Sequence, residues 1–129
     1  MTLELTYLVW STILTLVLVV IAVAGGTQQV GLPTLAGNRE GLPEMTGWAG
    51  RAQRAHWNML ESLVLLAILV FTAQLSGRTN AVTALGAAVF FWARVAHAVL
   101  YLAGIPWLRT GAWLASIVGL LMIFWQLIR

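Results

Sequence analysis

Four apolar stretches, each long enough to cross a bilayer, limit what this chain can fold into. They run roughly Leu5–Ala24, Trp48–Leu75, Val82–Ala103 and Gly111–Ile128. A helix needs about 20 apolar residues to span the hydrocarbon core. Lipid offers backbone groups no hydrogen bonds, so a single span must be helical. Four such stretches in 129 residues leave little else. The sequence therefore predicts an all-α membrane protein, a four-transmembrane-helix bundle forming one domain over residues 1–129. Composition agrees: charged residues make up 9%, against about 25% in soluble domains, and the mean hydropathy is +0.89.

Several function classes drop out. There is no cysteine, which excludes a disulfide framework, a thiolate metal site and a cysteine nucleophile. No metal is called for by any motif. The seven basic residues are all arginine and are scattered along the chain. A nucleic-acid surface needs them clustered on one face, so no nucleic acid is expected as partner. The first stretch lacks a basic leader, carries Glu4 and is long for a signal peptide. It is expected to be a retained span.

The connections are unequal. The first, "GGTQQVGLPTLAGNREGLPEMTG", is long and rich in glycine and proline, whereas "SGRTN" and "GIPWLRT" are tight. Gly104 and Pro106 are expected to end the third helix. Arg39 and Arg109 lie in the first and third loops, with Arg51 and Arg54 at the adjoining helix mouth. The positive-inside rule then puts these loops in the cytoplasm and both termini on the opposite side.

Polar residues inside the spans are the informative ones. Arg51, Arg54, Asn58 and Glu61 follow one another at spacings of 3, 4 and 3 on the second span. Arg94, His97 and Tyr101 follow at 3 and 4 on the third. Each set makes one helical stripe. Charges in a membrane face the bundle interior or a wet cavity and have partners. Glu61 lies ten residues beyond Arg51, and Arg94 ten before Gly104. At 1.5 Å per residue both are about 15 Å deep, which makes them expected ion-pair partners.

Two readings stand at most of these positions. Glu61 with Arg94 serves either as a structural pair or as part of a site. Asn58 is interhelical glue or a ligand contact. His97 is a general base or a packed partner of Asn58. His56 points about 100° away from the stripe and is read as an interfacial or inter-subunit contact. Arg51, Arg54, Arg94 and Arg109 against a single Glu61 leave excess positive charge at one mouth. Guanidinium groups grip carboxylates in bidentate fashion. The stripes are therefore expected to line a membrane-embedded site for a small anionic molecule.

"RAHWNMLE", then "ARVAHAVLY", then "GIPWLRT" resemble the MAPEG family, membrane-associated proteins in eicosanoid and glutathione metabolism. The resemblance covers nearly the whole chain. It implies a MAPEG-like homotrimer of four-helix bundles, with glutathione bound as co-substrate between neighbouring subunits near the cytoplasmic helix ends. By matched position it implies glutathione contacts for Arg54, Asn58, Glu61, Arg94 and Tyr101. His97 stands where relatives have histidine or tyrosine, and Arg51 adjoins the same mouth. Arg109 matches the catalytic arginine beside the glutathione sulfur, and Thr110 a serine that reaches it. The end of the first span has no arginine where the eicosanoid enzymes carry one, with Gln28 or Gln29 as the alternatives for its place. Trp57 stands where the prostaglandin synthase has a basic residue. These departures point away from eicosanoid substrates.

Two functions follow from the resemblance. One is a glutathione-dependent transferase or peroxidase, taking a lipophilic small molecule from the bilayer. The other is a non-catalytic scaffold or accessory subunit that keeps the stripes for folding. A transporter fits less well, since no inverted repeat or interrupted helix is visible.

Overall fold

A computed structural model describes all residues, 1–129. Five helices follow in order: α1 (Leu3–Val30), α2 (Leu32–Ala36), α3 (Gly47–Leu75), α4 (Ala81–Ala103) and α5 (Pro106–Ile128). The short α2 lies in the first connection. The other four are long and apolar enough to cross a membrane. The chain is thus an all-α, multi-pass membrane protein built as a four-helix bundle.

Packing divides the bundle into two hairpins. The broadest contacts are α4 on α5 and α1 on α3, and α4 also touches α1 and α3. Glycines set the closest approaches. A Cβ on Gly86 of α4 would stand 2.7 Å from the Gly119 carbonyl oxygen, and one on Gly119 of α5 would stand 2.6 Å from that of Gly86. Only hydrogen fits on both sides. In lipid, helices associate by packing rather than by expelling water, so such small-residue contacts carry much of the attraction. Gly25 plays the same part between α1 and α3, where a Cβ would meet that of Ala49 at 2.6 Å.

Two boundaries differ from the sequence expectation. Gly25 and Gly26 read as the end of the first span, yet α1 runs on to Val30. The glycines serve packing there, and close contact outweighs their low helix propensity. "GIPWLRT" reads as a loop, but Gly104 alone turns the chain, in the left-handed conformation at φ 78°. Pro106 then opens α5, where its missing N–H costs nothing. Arg109 and Thr110 therefore sit on the first turns of a helix.

The long first connection is tied down by a side chain. Gln29 at the end of α1 donates from Nε2 to the Thr46 carbonyl at 2.7 Å. Its Oε1 accepts the Thr46 N–H at 3.1 Å. Thr46 is the cap of α3, so Gln29 sets where that helix begins.

Candidate functional site

Three helices meet around a cavity of about 210 Å³ at the α4–α5 turn end of the bundle. Its lining is Asn58 from α3, His97 and Tyr101 from α4, and Arg109, Thr110 and Trp113 from α5. No acidic residue is among them. The 3- and 4-residue spacings place His97 and Tyr101 on one face of α4, above Arg94.

Arg94 lies behind this lining, joined to Asn58. It is 1% exposed, and its Nη2 donates to Asn58 Oδ1 at 2.6 Å. Its Nε and Nη1 are buried without any hydrogen-bond partner. Buried polar groups are nearly always satisfied, and each exception needs an explanation. Guanidinium donors pair most strongly with anionic oxygens, and a charge within a span ordinarily has a partner.

Above it, His97 is 3% exposed and packs against the Tyr101 ring, centroid to centroid 5.4 Å. The Arg109 guanidinium lies over the other part of this aromatic wall, its Cζ 4.2 Å from the Tyr101 centroid. Such cation–π contact holds a charge in place without consuming its donors. Thr110 turns its hydroxyl back to the Pro106 carbonyl at 3.1 Å. The N-terminal turn of α5, with its partial positive charge, points at the same region.

The structure brings together Asn58, Arg94, His97, Tyr101, Arg109 and Thr110, and it separates the rest. Arg51 spends its Nε on the Leu102 carbonyl at 3.0 Å, tying α3 to the end of α4. Arg54 and Glu61 are exposed on the outer side of α3. The expected Glu61–Arg94 pair is therefore absent: Asn58 takes the guanidinium instead. The reason is geometric. Ten residues at about 100° each bring a 3-4-3 stripe back some 80° short of its start. Arg51 and Asn58 stay near the core, and Glu61 drifts out of it. Gln29 is committed to Thr46, and Gln28 is exposed, so neither lines the cavity. Trp113, near the start of α5, closes one wall. Its spacing of four from Arg109 was the available signal.

His56 lines a second cavity of about 170 Å³ between α1, the first connection and α3, with Gln53 and Trp57. This lies on a different face from Asn58.

A model of the MAPEG family matches residues 5–129, essentially the whole chain. No curated protein and no solved structure matches it.

Proposed function

We propose, from the premise that this chain belongs to the MAPEG family, that it is a membrane-embedded glutathione-dependent transferase or peroxidase acting on lipophilic electrophiles. The family includes such enzymes and also members without catalysis. The observation that carries the reading is the acid-free cavity with Arg109 at its side and, on its wall, Asn58, which is bonded to the buried Arg94. Glutathione is an anionic peptide with two carboxylates and one thiol. Arg94, with Asn58, suits a carboxylate. Arg109 suits the sulfur, because an adjacent cation favours thiolate over thiol. Tyr101 holds Arg109 in place, and the Thr110 hydroxyl is within the same wall.

In the transferase reaction the thiolate sulfur supplies an electron pair to an electrophilic carbon of the substrate. A C–S bond forms and the displaced pair leaves on the departing atom. The thiol proton has already passed to water. The chain's own part is to bind glutathione, keep its sulfur ionised and hold it at the lipid boundary.

Assembly belongs to the same proposal. Arg54 and Glu61 are exposed on α3 amid the exposed Trp57, Leu60, Val64 and Leu65. A charge near the middle of a lipid-facing helix costs about 3 kcal/mol or more. A homotrimer that covers this face would remove the cost and bring Arg54 and Glu61 to the mouth of a neighbour's cavity. The first and third loops, with the site beside them, are assigned to the cytoplasm, where glutathione is plentiful.

The test is thermal unfolding of the detergent-purified protein across a glutathione titration, with Arg54→Ala for comparison. Binding to the folded state alone adds about 2.7 kcal/mol at a hundredfold excess over Kd. A saturable rise that the variant loses supports the site. No rise at millimolar glutathione removes this function and leaves the scaffold reading, in which the Asn58–Arg94 bond serves only to join α3 to α4.

A further inference from the structure

At the opposite end of the bundle the turn between α3 and α4 and the end of α5 enclose an open cleft of about 520 Å³. Gly77, Arg78, Thr79, Asn80, Gln126 and Arg129 line it, with no apolar side chain. We infer that this cleft is a second anion site, which takes a phosphate group through Arg78, Arg129 and the Gln126 amide.

The orientation of Gln126 is the central observation, and it follows from a chain of hydrogen bonds. Asn80 caps α4, its Oδ1 accepting the N–H groups of Val82 at 2.8 Å and Thr83 at 3.0 Å. That leaves Asn80 Nδ2 as a donor facing α5. It donates to Gln126 Oε1 at 2.9 Å. The amide of Gln126 is thereby fixed, with its Nε2 turned the other way. Gln126 is 7% exposed and lines the cleft, and Nε2 has no partner in the chain. An amide donor held in place beside two arginines, with no acceptor in the chain, is suited to an anionic oxygen.

The neighbouring acceptors are already used. Arg78 Nη1 donates to the carbonyl oxygens of Leu127 at 3.2 Å and Arg129 at 2.9 Å. The α3 carbonyls of Ala73 and Gln74 take the N–H groups of Arg78 and Gly77. Glu4, the acid at this end, is buried behind Thr83, whose hydroxyl donates to it. Donors remain: Nε and Nη2 of Arg78, the exposed Arg129 guanidinium and Gln126 Nε2. A carboxylate at Arg129 would still leave the cleft with net positive charge. Arginines pair with phosphate in bidentate geometry, and the start of α4 adds a favourable dipole. Exposed Leu75 and Ile128 flank the cleft, which puts it at headgroup level. The phosphate thus comes from an anionic lipid or from solution.

The experiment compares thermal unfolding in neutral detergent with added phosphatidylglycerol, phosphatidylcholine or inorganic phosphate at matched ionic strength. Gln126→Glu keeps the acceptor for Asn80 and replaces the amide donor with a negative charge. Arg129→Glu changes only an exposed side chain and serves if the first variant unfolds. A saturable rise with phosphatidylglycerol, weakened at least tenfold in apparent affinity by either variant and at least tenfold weaker with phosphatidylcholine, supports a lipid headgroup. The same pattern with inorganic phosphate supports a free anion. No rise with either, or a rise that both variants retain, overturns the inference.

Discussion

Both ends of the bundle bury charge, and they differ in how that charge is satisfied. At one end Glu4 is 3% exposed, yet its carboxylate accepts the Thr83 hydroxyl, and Thr83, Asn80 and Gln126 continue the chain of bonds across α4 and α5. At the other end Arg94 is as deeply buried but meets only Asn58, and two of its nitrogens are idle. The first arrangement joins helices and leaves the buried carboxylate partnered. The second joins helices through a single bond and leaves most of the guanidinium unpartnered. Polarity inside the bundle joins helices at both ends, but Arg94 alone keeps buried side-chain nitrogens without a partner.

Three experiments put this contrast at risk. Arg109→Ala should have the largest effect, lowering turnover about 10²–10³-fold, as loss of one stabilising donor does, while the thermal shift with glutathione persists. Initial-rate assays with a model electrophile beside the titration would separate the two, and equal loss of both would end the thiolate role. Thr83→Val should come next. It leaves the Glu4 carboxylate buried without its donor, costing about 3 kcal/mol. Adding Glu4→Leu should recover most of that loss, because removing both partners is nearly neutral. A double-mutant cycle by unfolding measures it, and a Glu4→Leu change that fails to rescue would show that this end is no simple lock. Asn58→Asp should have the smallest effect on the fold. It gives Arg94 a full counter-charge, so stability should hold or rise. Glutathione affinity should fall about tenfold, or 1.4 kcal/mol, since the cavity wall would gain a negative charge at position 58. Unchanged affinity would mean that Arg94 does not touch the ligand.

Much of this was legible in the sequence. Span length and the 3-4 spacings placed four helices, and they put Arg94, His97 and Tyr101 on one face with Asn58 opposite. The partner of Arg94 was not legible, because depth along an axis says nothing about angle. Glu61 matched the depth and missed the direction. Glu4 was read only as an argument against a signal peptide, since its partner Thr83 lies 79 residues away. Gln29 and Thr46 meet across a loop whose path no periodicity encodes. Nothing in the sequence marks Gly119 as the residue that meets Gly86.

That glycine contact has a mechanical consequence. With backbone on backbone at Gly86 and Gly119, α4 and α5 cannot slide or spread, and Gly25 against Ala49 restrains α1 and α3 in the same way. The molecule behaves as two stiff covers joined along a seam. Asn58 and Arg94 stand on facing covers, so the cavity sits at the seam itself. Any molecule seated there would work as a clasp, and its arrival would change how firmly the two covers are held together.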